Sequence, residues 1–407
     1  MYLKVLRGKS IIGKDTTVTQ KKHQESYKNK MENFTFYTSL MEHLSLEDFE
    51  QIAWLVGIDN KDTLHALNTT DDNGATAIYT IQNNLTLYLP ILILFFGYAG
   101  NILSLFVLSQ KSMRKLSIHL YLMVLAIVDI SVLTIGLLPV WFDALLVVGF
   151  QNWSPWVCKI SAFIGYTTSD FATWLIVAIS IERYMVIRFP LKAKVISRRS
   201  TAKRVIGGIF IVLCIVNLHL LWTVDARLYT DQLGKEYSIC TSDCHFESFM
   251  DTIWPWLDIV FYSVGPILCT VVANCMIIYN LLFKLSKQGL RRNESIKRTS
   301  FRRKSYNMTL LLLLVSFTFV ATTLPLTVIN ICTGFFQKWQ LDSVDTAKVH
   351  LARTVAELLM YTNHGISFFL YCISGEHFRS EFMKVLRNNF GESDRKRKYA
   401  LVILSKN

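Results

Sequence analysis

Seven apolar runs, each about twenty residues or longer, constrain this chain more than any other feature of its sequence. They cover Leu85–Leu108, Leu120–Trp141, Ile160–Ile187, Val205–Val224, Ile253–Phe283, Met308–Phe336 and Val355–Ser374. A helix needs about 20 apolar residues to cross a bilayer, and in lipid only helices and closed barrels satisfy every backbone polar group. Seven such runs in succession argue against the two or three soluble domains that 407 residues would otherwise form.

The charges orient the spans. Lys111, Arg114 and Lys115 follow the first; Arg188, Lys192, Lys194, Arg198, Arg199, Lys203 and Arg204 follow the third; Lys284 to Lys304 is strongly basic after the fifth. The alternate loops are mixed or acidic. Positive loops stay in the cytoplasm, which puts the amino terminus outside and the carboxyl terminus inside a plasma membrane. The net charge of +13 is therefore an orientation signal. It is not gathered on one soluble face, as nucleic-acid binding would require.

Three segments follow. Residues 1–85 read as an extracellular tail, disordered and glycosylated at sequons that begin with Asn33, Asn68 and Asn84. The first thirty residues are basic and lack a signal-peptide core, so translation is expected to start at Met31. Residues 86–375 form the membrane domain. Residues 376–407 form an amphipathic helix and a basic tail: Phe378, Phe382, Val385 and Leu386 share one stripe that reads as lying on the inner leaflet.

Cys158, Cys240 and Cys244 fall on the outer, oxidising side, so a disulfide from Cys158 to the second outer loop is expected. Cys240 is the favoured partner and Cys244 the alternative. No cysteine has metal-ligand spacing. Glu182-Arg183-Tyr184 closes the third span, twenty-five residues beyond Cys158, roughly 37 Å along a helix. An acid and an arginine are expensive there and mark function.

In this order the motifs resemble the rhodopsin-like (class A) G-protein-coupled receptors. The likeness rests on Gly100-Asn101 and Leu125-Ala126-Ile127-Val128-Asp129, then on Cys158 with Glu182-Arg183-Tyr184 and on Pro266. Phe319 six residues before Pro325 and the run from Asn363 to Gly375 complete it. The last run, with Trp254-Pro255-Trp256-Leu257-Asp258, is similar to invertebrate neuropeptide receptors of the FMRFamide-related kind. The resemblance implies an all-α membrane protein: a seven-transmembrane helix bundle with a short amphipathic eighth helix. It implies a heterotrimeric G protein and an extracellular ligand, a peptide by the finer likeness, as partners, and no enzymatic activity.

The resemblance also assigns roles. Arg183 pairs with Glu182 at rest and turns toward Tyr371 and the G protein on activation. Asp129 packs with Asn101, Asn363 and Ser367 and is the place where family members bind a sodium ion; a structural, hydrogen-bonded acid is the alternative. The family's span-three serine is Ala172 here, which weakens a sodium site. Pro266, Phe319 and Pro325 are the hinge. Thr322-Thr323 replaces the usual Cys-Trp, Ser367-Phe368 the usual Asn-Pro, and Ser305 an acid that restrains Arg183, which implies raised basal activity. Gly165 stands where amine receptors carry aspartate, and Tyr361 where opsins carry lysine. Asp170, Asp258 and Glu357 are the acids near the expected pocket, and Glu357 or Asp258 is expected to meet a cationic group of a peptide ligand; the plainer reading of Glu357 is an i,i+4 pair with Arg353. The altered sixth and seventh spans leave open an atypical receptor that binds ligand without coupling. A transporter or membrane enzyme lacks support, with no inverted halves or intramembrane ligand clusters.

Overall fold

The computed structural model describes residues 72–115, 117–146, 150–230, 236–288, 296–336, 343–385 and 387. Asn33, Asn68 and Met31 lie outside these residues.

Six helices are long and apolar enough to cross a membrane. They are α1 (Asp72–Leu108), α2 (Ser117–Leu145), α3 (Pro155–Arg188), α4 (Arg199–Thr223), α5 (Phe249–Leu282) and α6 (Ile296–Phe336). A seventh helix, α7 (Ser343–Ser374), has the length but not the uniform apolarity, because it carries Asp345, Lys348, Arg353 and Glu357. It is set into the bundle between α1 and α6, where Arg353 and His364 are buried. Bundle faces turned away from neighbours carry Phe95, Phe106, Phe317 and Ile373, all exposed. In water such faces would be a liability; against lipid they are at home.

Two boundaries differ from the apolar runs. The first helix begins at Asp72, thirteen residues before Leu85, so residues 72–85 are helical rather than part of a disordered tail. Asn84 is half-buried on that helix, and the Thr86 hydroxyl donates back to the carbonyl of Gln82. That sequon is thus not on a loop. The seventh helix begins twelve residues before Val355. In both cases polar residues continue the helix because they face each other: Gln82 Nε2 donates to Thr354 Oγ1 at 3.1 Å.

An addition to the all-helical expectation lies between α4 and α5. Strands β1 (Val224–Thr230) and β2 (Glu236–Ser242) pair antiparallel, with Ala226 opposite Cys240. Cys240 is bonded to Cys158, at a Cα–Cα distance of 5.5 Å. Its backbone N–H donates to Asn152 Oδ1 at 2.9 Å. The hairpin is thereby fastened to the start of α3, above a small core of Ala162, Leu220, Val224 and Trp254. Cys244 is a free, exposed thiol.

The fifth helix is interrupted by π-helical turns at Phe249–Ile253 and Ile259–Val264. The second of these follows from Gly265-Pro266. The Gly265 N–H reaches back five residues to the Val260 carbonyl, and a Cβ at 265 would meet that oxygen at 2.7 Å. In this register the donor owed to the Phe261 carbonyl is the nitrogen of Pro266, which has no proton. Trp174 of α3 supplies one instead, its Nε1 donating at 3.0 Å. Pro266 therefore shifts the helix register and joins α5 to α3.

After Gly375 a short helix, α8, runs over residues 376–385. Phe378 is buried against Phe368 and Tyr371, so this part of the stripe faces protein rather than lipid. Arg379 donates to the carbonyls of Cys372 and Ile373, capping the end of α7. The Lys384 ammonium and the Ser112 hydroxyl both bond the Glu381 carboxylate, at 2.7 Å each, and hold it below the usual carboxylate range.

Candidate functional site

Polar residues inside the bundle gather in three layers. The first lies at the end that carries Arg183. Arg183 Nη2 bonds Glu182 Oε1 at 2.7 Å, and the Ser117 hydroxyl donates to the same oxygen. Both side chains of the pair are largely buried, and Arg183 Nε has no hydrogen-bond partner among the described residues. Tyr371 is fully buried nearby, ring to ring with Phe378. The Ser180 hydroxyl of α3 meets that of Ser316 of α6 at 3.1 Å. Ser305 lies on α6, and its side chain is outside the described residues. Tyr184 is half-buried.

The middle layer centres on Asp129, which is fully buried. Its nearest partner is His364, whose Nδ1 lies 2.8 Å from Oδ1. The Ser367 hydroxyl lies 3.5 Å from Oδ2. Asn101 does not bond the carboxylate: its amide donates to the carbonyls of Gly97 and His364, at 2.9 and 2.8 Å. Asn363 is not among the hydrogen-bond partners of Asp129, which are His364 and Ser367. These contacts need α1 and α7 to touch. A Cβ on Gly97 would lie 3.3 Å from the Gly365 Cα, and one on Gly365 would lie 3.4 Å from the Gly97 Cα. The two glycines let the backbones approach closely enough for Asn101 to reach across.

The third layer lies toward the hairpin. Asp170, buried on α3, accepts from Asn217 Nδ2 of α4 at 2.7 Å. Asp258, between the two π turns of α5, is close enough to Asp170 for their charges to interact, and Tyr262 and Tyr361 adjoin them. Asp258 accepts no hydrogen bond among the described residues. Glu357 is paired, with Arg353 Nε 3.0 Å from its Oε1. A cleft lined by Thr86, Leu137, Val140, Thr354, Glu357, Leu358 and Tyr361 has room for about one water molecule. A Cβ added at Gly165 would lie 3.5 Å from Ile135, in ordinary contact.

Pro325 sits within the continuous α6, and Phe319 is buried in the main core one and a half turns before it. Thr322 and Thr323 follow Phe319, with the Thr322 hydroxyl bonded to the carbonyl of Thr318.

Sequence reasoning missed His364, Ser117, Asn217, Asn152 and the Ser180–Ser316 contact. His364 carried a usable signal, since an ionisable residue inside an apolar run marks a site by default. The serines carried none, because they are common on helix interfaces. No motif announced Asn152 as the support of the disulfide strand.

Residues 100–371 match the family described as 7 transmembrane receptor (rhodopsin family). A FMRFamide receptor of Drosophila melanogaster is 25% identical over 304 residues, 71% of this chain; the chain spans about half of that relative, 51% of its length. The growth hormone secretagogue receptor type 1 of Mus musculus is 26% identical over 307 residues, covering 71% of this chain and 77% of that protein. The human protein of the same name is 26% identical over 308 residues, with the same coverage. With the apolar helices, the α3–hairpin disulfide and a family match over most of its length, this chain belongs to the rhodopsin family of seven-transmembrane receptors and is a multi-pass membrane protein.

Proposed function

We propose that the chain is a plasma-membrane receptor for a peptide ligand and activates a heterotrimeric G protein, with its amino terminus outside and its carboxyl terminus in the cytoplasm. The cluster of Arg183, Glu182 and Ser117 carries the reading. A guanidinium kept in a low-dielectric site by one carboxylate, with Nε unsatisfied, is poised to exchange that partner for another. An outward motion of α6 would break the Ser180–Ser316 contact and open a path from Arg183 to a cytoplasmic protein. The distribution of basic loops supports the orientation. A relative named for FMRFamide supports a peptide.

At the hairpin end, Asp258 is the residue proposed to recognise the ligand. Two neighbouring acids, only one of them hydrogen-bonded, make a place for a cation, and an arginine side chain can meet a carboxylate through two parallel bonds. Glu357 is engaged by Arg353 and is a weaker candidate.

The test is G-protein activation in cells expressing the chain, with a panel of amidated neuropeptides and Arg183→Ala as control. A response abolished by the substitution, at equal surface expression, is the expected result. The replacements Thr322-Thr323 and Ser367-Phe368 favour a second reading, a ligand-binding receptor that does not couple. Peptide binding at the cell surface without activation would select it.

A further inference from the structure

We infer that His364 takes the place of a bound cation beside Asp129, and that this receptor, unlike the sodium-binding members its sequence resembles, holds no sodium ion there. The inference goes beyond the proposed function and does not depend on ligand or coupling.

A hard cation is held by oxygen atoms, about six of them for small ions in ordered sites. Around Asp129, Oδ1 is already engaged by the imidazole at 2.8 Å. A residue one turn away on the same helix face, Ser367, brings one hydroxyl toward Oδ2. On α3 the residue that stands where family members carry a serine is Ala172, buried, which offers no side-chain oxygen. Asn101 turns its amide nitrogen to two backbone carbonyls. Its Oδ1 is buried without a hydrogen-bond partner among the described residues. Asp129, Ser367 and Asn101 leave the rest of a shell to water, and with the imidazole on Oδ1 those waters would have to displace it.

The imidazole also does what the ion would do. A carboxylate in mid-membrane costs several kcal/mol unless a partner or a cation stabilises it. An N–H directed at Oδ1 supplies that partner from within the chain. The backbone that carries the imidazole is held in place: the His364 carbonyl is bonded by Asn101, and the Gly97–Gly365 contact sets α7 against α1 at this level. The pair links α2 to α7 from within the chain, where a dissociable ion would make the link conditional on salt.

Thermal unfolding of the purified full chain in detergent tests this, comparing sodium chloride with choline chloride at equal concentration. The midpoint of the wild type is expected to be the same in both salts. His364→Ser removes the imidazole and leaves Asp129 without its main partner. Its midpoint is expected to fall in choline and to recover selectively in sodium, by a few degrees. His364→Asn, which keeps an amide donor, carries the same readout should the serine variant not fold. Sodium-selective stabilisation of the wild type overturns the inference. So does a folded variant that ignores sodium, because His364 would then not be what occupies the place of the ion.

Discussion

At the scale of single residues, the bundle distinguishes acids by their partners. Asp129, Asp170, Glu182 and Glu357 each have a bonded partner; Asp258 accepts no hydrogen bond among the described residues. Asp258→Asn is therefore expected to weaken agonist potency tenfold or more, about 1.4 kcal/mol or greater, while Glu357→Gln moves it much less. Concentration–response curves for both variants against one agonist make the comparison, and equal losses would count against Asp258. The sequence marks these acids as costly in a membrane, but it does not show who answers each one. For Asp129 the expected partners Asn101 and Asn363 are close in register, yet a one-residue step turns a helix by about 100°, and the ring of His364 has the longer reach. Partner choice depends on that rotation and on how near two backbones come, neither of which hydropathy records.

At the scale of elements, helix identity was legible and helix interiors were not. Apolar runs located all seven helices, because bilayer thickness sets a minimum length that few other structures share. They did not reveal the π turns, the hairpin or the polar extensions of α1 and α7, which depend on packing. Gly265 shows how much rests on one position. Gly265→Ala places a methyl 2.7 Å from the Val260 carbonyl, and the turn must either open or shift. A loss of about 1–3 kcal/mol is expected, seen as a lower unfolding midpoint, with agonist binding reduced because Asp258 sits at the start of that turn. An unchanged midpoint would mean that α5 can return to α-helical register there. Trp174→Phe withdraws the proton given to the Phe261 carbonyl and is expected to act in the same direction, by about 1 kcal/mol or more.

At the scale of the whole molecule, the chain is closed at the hairpin end by a covalent bond and along its side by α7. Cys240→Ser is expected to cost about 2–4 kcal/mol and to reduce surface expression, whereas Cys244→Ser leaves both unchanged. Labelling by an impermeant maleimide without prior reduction should go to Cys244 and disappear in Cys244→Ser. The sequence left the two cysteines as alternatives; the strand pairing that sets Cys240 beside Asn152, and leaves Cys244 beyond the end of β2, separates them. The composition of α7 has a consequence for how such a protein is made. With Arg353, Glu357 and His364 along it, α7 has little to draw it into lipid on its own, and its polar face matches Gln82 and Asn101 on α1, which is synthesised well before it. Assembly of the membrane bundle therefore ends with α7 docking on α1. A nonsense codon anywhere before Ser343 removes the partner of a helix already inserted and exposes amide groups to hydrocarbon, so such alleles should yield no shortened receptor at the cell surface, only a product held back for degradation.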